Sequence, residues 1–228
     1  MDDKTRKIAR RLANKMIKEV GPAVREYAGT ELAGAEVKTG ADGTPTSFID
    51  QIAEEKIVTI LKNADVYSYL VSEEIGEVKL GKGKNRKVNL IQELKRTDLD
   101  EEETPKFIFL IDPVDGTTNA TKEIPAYAIS IAVAEVNQGR AATINDVELG
   151  FLYNLANGNF FEAEKGKGCR LNNEKVEPSK VIKINQMTLG GFTKSGTSEA
   201  SKLVDSARRM RVLGSVALEL SYVASGKY

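Results

Sequence analysis

The chain has 228 residues, of which 41% are hydrophobic and 29% charged, and this composition is typical of a globular protein with one large or two small domains. Thirty-three basic residues balance thirty-three acidic ones, so there is no net field that would indicate a nucleic-acid partner. Histidine is absent, which excludes histidine-based nucleophile pairs and the usual histidine-rich catalytic zinc sites. The chain has one cysteine and no apolar run of the about 20 residues that a membrane span requires, so we expect a cytoplasmic protein with neither a membrane nor a nucleic-acid partner.

The N-terminal segment has the periodicity of an amphipathic helix. Apolar residues recur every four positions, at Ile8, Leu12, Met16, Val20 and Val24. This spacing predicts a helix over roughly residues 4–28 that packs against the protein's own core. A polar loop that contains glycine is expected from residue 36 to residue 46. Ser47 is a suitable N-cap for a second helix, which carries Asp50 in its first turn.

A strand is predicted at residues 66–71, because this stretch is rich in aromatic and β-branched residues. The pair Glu73 and Glu74 follows shortly after it. Residues 76–106 carry charge runs of opposite sign around a weakly apolar segment, which predicts an insertion or a hairpin with a solvated tip at residues 81–87. This basic tip could attract phosphorylated ligands, although charge runs of this kind are usually only exposed.

A strand that ends in a turn stands at the centre of the chain. Residues 108–111, Ile-Phe-Leu-Ile, predict a buried strand, and residues 112–119 after it are Asp-Pro-Val-Asp-Gly-Thr-Thr-Asn. Because the turn reverses the chain between them, Asp112 and Asp115 can face one cavity, with the main-chain carbonyl of Val114 as a third oxygen ligand. Hard oxygen donors of this kind suit magnesium, calcium or manganese rather than zinc.

The residues after these carboxylates favour phosphate binding. Gly116 permits a backbone conformation that a side chain disfavours, so the amides of Gly116 and Thr117 can point outward toward a phosphate group. Beyond this turn, we expect strands at residues 126–136, 147–153, 159–164 and 187–192. The middle two are expected to form a hairpin.

The C-terminal part is predicted to contain two helices, the first at residues 198–208. Gly214 and Ser215 are expected to begin the second, where main-chain amides can meet a substrate oxygen. Arg211 lies three residues before Gly214. It is the candidate to hold the second phosphate of a bisphosphate, because a guanidinium offers a fixed charge and a bidentate fork.

The octapeptide at residues 112–119 resembles the signature of the inositol monophosphatase family, magnesium-dependent phosphatases that act on small phosphorylated sugars, polyols and nucleotides. Two further patterns are similar to that family: Thr46 to Asp50 fits its Thr-x-x-x-Asp pattern, and Glu73 with Glu74 fits its paired glutamates. The loop Ala-Asp-Gly-Thr-Pro-Thr that ends at Thr46 looks like that of the archaeal members that hydrolyse both fructose 1,6-bisphosphate and inositol monophosphate.

The resemblance implies a layered α/β/α/β/α sandwich, with a larger antiparallel sheet first and a smaller sheet after about residue 140. We therefore expect an N-terminal α/β portion over residues 1–140, with the larger sheet and the metal site, and a C-terminal α/β portion over residues 141–228. The family's C-terminal Trp-Asp metal motif is absent from this chain, so we expect the C-terminal portion to be incomplete. A homodimer is expected, as is usual in the family.

The resemblance also implies roles for the site residues. Two or three Mg²⁺ ions, for which Mn²⁺ can substitute, are expected on Glu73, Asp112, Asp115 and the carbonyl of Val114. Glu74 and Thr117 are expected to orient the attacking water, and Asp50 to help hold a weakly bound metal. The expected substrate contacts include the main-chain amides of the turn and of the final helix. The residues are Asp115, Gly116, Thr117, Arg211, Gly214 and Ser215.

The expected activity is hydrolysis of fructose 1,6-bisphosphate and inositol 1-phosphate by metal-activated water. Two alternatives stay open. One is a nucleotide phosphatase that acts on adenosine 3',5'-bisphosphate or NADP with the same metal residues. The other is a catalytically impaired relative that still binds phosphorylated ligands, and the absent Trp-Asp motif is its best support.

Overall fold

The computed structural model describes residues 1–96, 98–100, 102–191 and 198–228. Over these residues the helices are α1 (Asp3–Tyr27), α2 (Phe48–Lys62), α3 (Leu90–Lys95), α4 (Thr117–Thr121), α5 (Ser198–Ser206) and α6 (Val216–Ala224). The predicted N-terminal helix is confirmed as α1, whose apolar stripe is buried. Ser47 caps α2 as expected, because its hydroxyl oxygen accepts a hydrogen bond from the amide of Asp50. No helix in this part of the chain combines the length and apolar character of a membrane span.

The strands are β1 (Glu36–Thr39), β2 (Pro45–Ser47), β3 (Ser68–Ser72), β4 (Gly76–Gly81), β5 (Lys84–Lys87), β6 (Phe107–Asp115), β7 (Ala128–Glu135), β8 (Val147–Asn154), β9 (Phe160–Glu164), β10 (Gly168–Leu171), β11 (Glu174–Val176), β12 (Thr188–Gly190) and β13 (Arg209–Arg211). Within the described residues, nine strands form one sheet in the order β11-β10-β9-β8-β7-β6-β3-β4-β5. Outside it, β1 pairs with β2 and β12 with β13. The strand expected at residues 187–192 corresponds to β12, and Phe192 lies outside the described residues.

The large sheet is mixed rather than antiparallel, and it extends further along the chain than expected. β3 and β6 are parallel, because the chain passes through β4, β5 and α3 before it returns to the same end of the sheet. The expected start of a second sheet after about residue 140 differs from the structure, since that point lies between β7 and β8, which pair directly. The second sheet begins with β12, because β8 to β11 continue as antiparallel neighbours that need no crossover.

Helices lie on both faces of the large sheet. α1 and α2 pack together over one face, where their apolar residues meet side chains of β3, β4, β6, β7 and β8 in the main core. On the other face, α6 contacts β7 and β8 on one side and β12 on the other, and α3 packs over a smaller core around Tyr69 and Ile108. The α/β class expected from the sequence is confirmed, and α1 with α2, the large sheet, α6 and the small sheet follow the expected order of layers.

Candidate active site

Two carboxylates lie at the end of β6, where the strand departs from regular pairing. The ladder with β7 is regular up to Asp112 and resumes at Asp115, with a shift of register between them. Pro113 stands in this gap, and because proline has no amide hydrogen it cannot donate to the ladder. The amide of Val114 instead donates to Oδ1 of Asp112 at 3.1 Å. The bulge therefore holds the Asp112 carboxylate beside the Val114 peptide.

Thr117 connects this turn to the start of α2. Its hydroxyl lies 3.0 Å from Oδ1 of Asp50 and 3.0 Å from the main-chain oxygen of Val114. A hydroxyl has one proton, so Thr117 donates to one of these oxygens at a time. The other carboxylate oxygen of Asp50 accepts a hydrogen bond from the hydroxyl of Ser47 at 2.6 Å. The structure thus brings together three predicted site residues, Asp50, Val114 and Thr117, from two distant segments.

The loop between β1 and β2 packs on the turn after β3. The hydroxyl of Thr46 donates to Oε2 of Glu74, and both residues are buried. The amides of Ala41 and Asp42 lie 2.9 and 3.2 Å from the carbonyl oxygen of Glu73. These contacts place the Thr46-to-Asp50 segment next to the glutamate pair, as the sequence patterns require if they serve one site.

The carboxylates of Asp50, Glu73, Glu74, Asp112 and Asp115 lie close enough for their charges to interact, and together they form an acidic cluster. Burial, followed by the charges of Glu73 and Asp115, raises the pKa of Asp112 to about 7. Burial is also the main cause of the raised pKa of Glu73, followed by the charges of Glu74 and Asp50. The pKa of Asp50 rises through burial as well, although hydrogen bonds from neighbouring hydroxyls oppose the rise. A bound cation would relieve this repulsion between partly buried like charges.

The donor set suits a hard divalent cation. It consists of carboxylate oxygens and a main-chain carbonyl, which are the ligands that Mg²⁺ and Mn²⁺ prefer. Among the described residues, however, no three Asp, Glu, His or Cys side chains converge closely enough to ligate one ion. Ligation of one ion by three of these carboxylates therefore requires them to move closer together than they are in this structure.

Asp115 is turned toward the start of α6. Its Oδ2 accepts hydrogen bonds from the hydroxyl of Ser215 and from the amide of Ala217 at 2.8 Å, and its Oδ1 lies 3.3 Å from the amide of Val216. A carboxylate in this position satisfies helix N-terminal amides that have no partner within the helix. The α6 amides expected to meet a substrate oxygen therefore meet Asp115 in this structure. Sequence reasoning placed Asp115 and Ser215 in one site but missed the direct hydrogen bond between them.

Asn119 holds the turn after β6 against the segment before α6, a role that sequence reasoning missed. Its buried amide group donates to the carbonyl oxygens of Ala126 and Leu213, each at 2.7 Å. Gly116 has a φ of +96°, and a Cβ there would lie 2.8 Å from the carbonyl oxygen of Ala126. The special backbone conformation predicted for Gly116 is confirmed. Asn119 closes the same octapeptide, and its position there was the available signal.

Glu54 is another buried acid near the cluster that sequence reasoning missed. It is 4% exposed and accepts hydrogen bonds from the hydroxyl of Ser72 at 2.9 Å and from the ammonium of Lys38 at 3.2 Å. Burial raises the pKa of Glu54 despite these bonds. The signal was its spacing of one helical turn from Asp50, which places both carboxylates on one face of α2.

The remaining predicted residues lie on the C-terminal segment. Gly214 lies against Asn119, whose side-chain nitrogen would be 3.0 Å from a Cβ at that position. Arg211 is exposed at the end of β13. Burial raises the pKa of Tyr228 and the charge of Arg211 opposes this rise, which places Arg211 near Tyr228. Gly214 thus contacts the turn after β6. Arg211 lies near Tyr228, which is outside the acidic cluster.

Known proteins of one family are similar to this chain. Residues 5–228 match the inositol monophosphatase family. The chain is 41% identical over 222 residues to a fructose-1,6-bisphosphatase/inositol-1-monophosphatase of Methanothermobacter thermautotrophicus, a match that covers 95% of this chain and 72% of that protein. It is 34% identical over 242 residues to a bifunctional NADP phosphatase/NAD kinase of Methanocaldococcus jannaschii, which covers 95% of this chain and 38% of that protein.

A solved structure has the same fold. The crystal structure of an inositol monophosphatase-fructose 1,6-bisphosphatase matches with a TM-score of 0.72 and 24% sequence identity, over 95% of this chain and 72% of the other. At this identity the match concerns the fold alone. The chain thus spans 72% of the length of the first archaeal relative but only 38% of the bifunctional one.

Proposed function

The chain belongs to the inositol monophosphatase family, and from this we propose that it is a magnesium-dependent phosphate-monoester hydrolase acting on fructose 1,6-bisphosphate and inositol 1-phosphate. The observation that carries the proposal is the acidic cluster at the end of β6, where burial and neighbouring carboxylates raise the pKa of Asp112 to about 7. The choice of substrates is supported by the 41% identical archaeal relative, which is named for these two activities.

The residues proposed to hold Mg²⁺ are Glu73, Asp112, Asp115 and the carbonyl of Val114, with Asp50 assisting a weakly bound ion. We propose two or three ions, and Mn²⁺ is expected to substitute because it takes the same oxygen ligands. When bound, the metal supplies positive charge that lowers the pKa of a water molecule and screens the phosphate oxygens. Relief of the repulsion within the acidic cluster favours this binding.

Thr117 and Glu74 are proposed to orient the attacking water. The Thr117 hydroxyl gives its single proton to Asp50 or Val114, so its lone pairs are left to accept a hydrogen bond from water. Glu74 accepts a hydrogen bond from Thr46 and has a second carboxylate oxygen that can accept a proton from water. Because protein hydrogen bonds already hold both groups, little reorganisation is needed when the substrate binds.

The phosphate group is proposed to meet the amides of Gly116 and Thr117 at the start of α4, where Gly116 is the N-cap. Asp115, Gly214 and Ser215 complete the proposed contacts with the substrate. Since Ser215 donates to Asp115 in this structure, metal and substrate would have to compete with that hydrogen bond. Binding at this site is therefore coupled to the start of α6.

Asp112→Asn tests the assignment of the acidic cluster. At saturating Mg²⁺, we expect the rate of phosphate release from both substrates to fall at least about a hundredfold, because a charged metal ligand is lost. Circular dichroism should show that the variant is folded. Asp65→Asn, which removes an exposed carboxylate outside the cluster, is the matched control and should keep wild-type turnover. Near-wild-type turnover of Asp112→Asn would defeat the proposal.

A second candidate function is hydrolysis of NADP or adenosine 3',5'-bisphosphate. The observation in its favour is the 34% identity to a protein named bifunctional NADP phosphatase/NAD kinase. A panel of the two nucleotides, fructose 1,6-bisphosphate and inositol 1-phosphate distinguishes the candidates. Turnover of the nucleotides alone would replace the first proposal, and binding of inositol 1-phosphate with Mg²⁺ but no turnover of any substrate would favour a catalytically impaired relative.

We also propose, from the family alone, that the protein forms a homodimer and works in the cytoplasm. Sedimentation equilibrium of the full chain measures the first property directly.

A further inference from the structure

β4, β5 and the segment that follows α3 contribute to a pocket on the sheet face opposite to α1 and α2. In β4, Val78 and Leu80 belong to the core beneath those helices, so the side chain of Lys79 between them projects to the other face. The cavity has a volume of about 430 Å³. Among the described residues, its charged lining consists of four cations and one carboxylate, namely Lys79, Lys84, Arg86, Arg96 and Glu103.

Lys79 is a buried cation in this pocket. It is 6% exposed, and its ammonium lies 4.8 Å from the centroid of the Tyr67 ring. None of the described carboxylates forms an ion pair with it. Burial, followed by the positive charge of Arg86, lowers the pKa of Lys79, while the charges of Glu103 and Glu93 oppose this shift from beyond ion-pair distance. Buried lysines are normally paired, so a ligand can supply the direct anionic contact that the described carboxylates do not make.

Arg86 faces Lys79 directly across the β4–β5 ladder, and like charges in this position destabilise a sheet. The buried carboxylate of Glu93 compensates only part of the charge, since it lies 2.8 Å from Arg86 and 3.5 Å from Arg96. Arg96 also pairs with Asp98 at 2.9 Å. These ion pairs hold both guanidinium groups in place, and none of them includes Lys79.

We propose that this basic pocket is a binding site for a small phosphorylated molecule. A phosphate group would compensate the charge of Lys79 and accept hydrogen bonds from the two held guanidinium groups, a geometry that phosphate recognition favours. Lys84 is exposed and adds charge at the rim, while Tyr67 and Leu99 offer apolar surface to the rest of the ligand. The volume of the cavity is within the range of small-molecule sites.

The basic pocket and the acidic cluster lie at opposite ends of β3. Tyr67 comes just before the first residue of this strand and Glu73 just after the last, which separates them by roughly 20 Å at the usual rise per residue. The two sites also differ in charge, because carboxylates that repel anions dominate the cluster and cations dominate the pocket. Phosphate binding in the pocket therefore needs no Mg²⁺, and its test is independent of the proposed hydrolysis.

Titration of the full chain with inorganic phosphate, in the presence and absence of Mg²⁺ at constant ionic strength, tests the proposal by calorimetry. We expect a binding event that does not need Mg²⁺ and that Asp112→Asn retains. Lys79→Met keeps a similar side-chain length and removes the charge, so the affinity should fall about tenfold or more. Lys84→Gln, at the exposed rim, should weaken binding about threefold, in keeping with a solvated charge.

Lys87→Gln is the matched control. Lys87 is exposed on the same strand as Arg86 but is paired with Val78, so it projects to the other face of the sheet, and its loss should leave the affinity unchanged. Equal weakening by Lys87→Gln and Lys79→Met would mean that phosphate binds general surface charge, and would overturn the pocket. The absence of Mg²⁺-independent binding would do the same. If circular dichroism shows that Lys79→Met is unfolded, Lys84→Gln decides, and an unchanged affinity in that variant overturns the proposal.

Discussion

Asp112 is partly buried and Lys79 is buried, and their surroundings act on these opposite charges in the same physical way. Burial raises the pKa of Asp112 and lowers that of Lys79, so each shift favours the neutral form. A like charge adds to each shift, from Glu73 in the first case and from Arg86 in the second. At the scale of residues, an ion of the opposite charge would therefore stabilise the charged form of either side chain.

Arg211 is the residue on which the proposed use of a bisphosphate depends. It is exposed, and the second phosphate of fructose 1,6-bisphosphate must be held away from the acidic cluster. Arg211→Ala should raise the KM for fructose 1,6-bisphosphate about tenfold and that for inositol 1-phosphate much less, because only the former has a second phosphate to lose its partner. Initial-rate measurements with both substrates give the two constants.

The control for this prediction is Arg209→Ala, which removes an exposed arginine two positions earlier in β13 and should change neither KM. An equal change for both substrates after Arg211→Ala, or no change for either, would remove Arg211 from the substrate site.

At the scale of elements, the site depends on the junction of β6, α4 and the start of α6. The hydrogen bond from Ser215 to Asp115 joins residues 100 positions apart in the chain. Asn119 ties the same two segments together through its bond to the carbonyl of Leu213. A change of backbone in the turn at Gly116 is therefore expected to disturb the start of α6 as well as the acidic cluster.

Gly116→Ala tests this junction. The variant should lower the free energy of unfolding by about 1–2 kcal/mol because φ is in the left-handed region, and by about a further 1–3 kcal/mol because the new Cβ would crowd the carbonyl oxygen of Ala126. Gly139→Ala is the matched control, since φ is +89° there but nothing lies within 4 Å of a Cβ. It should show only the first effect in urea denaturation. Equal losses for the two variants would mean that the close approach at Gly116 contributes nothing.

At the scale of the whole molecule, folding collects acidic side chains from α2, the turn after β3 and the end of β6 into one cluster. Unfolding separates them, so their pKa values return to ordinary ones. The pKa of Asp112 is about 7 in the folded chain against an ordinary value of 3.8. Between these values the folded state binds more protons than the unfolded state, so the free energy of unfolding falls as pH rises. Glu73 and Asp50 also have raised pKa values and act with the same sign.

We therefore expect the metal-free protein to lose about 2 kcal/mol of its free energy of unfolding between pH 5 and pH 7.5. Asp146, whose pKa is lowered mainly by Arg140, affects stability only at lower pH. Asp112→Asn should remove a large part of the dependence, and Asp65→Asn should retain it. Urea denaturation in the presence of a chelator measures the slope, and a stability that rises across this pH window would contradict the expectation.

Most local elements, and the residues assigned to the candidate site, could be predicted from the sequence. Helix α1 follows from the four-residue apolar spacing and the start of α2 from Ser47, because both depend on neighbours within one or two helical turns. The body of β6 follows from the apolar run at residues 108–111, a pattern that is also local. Its predicted end before Asp112 is wrong, because the strand continues through a bulge at Pro113 to Asp115. Asp50 and the glutamate pair were assigned to the candidate site only because their patterns resemble those of the family.

The contacts that these residues make depend on the tertiary structure. The hydrogen bonds that Ser215 and the α6 amides give to Asp115 join distant segments, and so does the bridge that Asn119 makes. Lys84 and Arg86 belong to the basic tip that the sequence predicts, and in the structure they line a pocket together with Lys79. Lys79 is buried and lies opposite Arg86. Strand register, burial and the direction of each hydrogen bond arise from packing between segments far apart in the chain, and local periodicity carries no information about them.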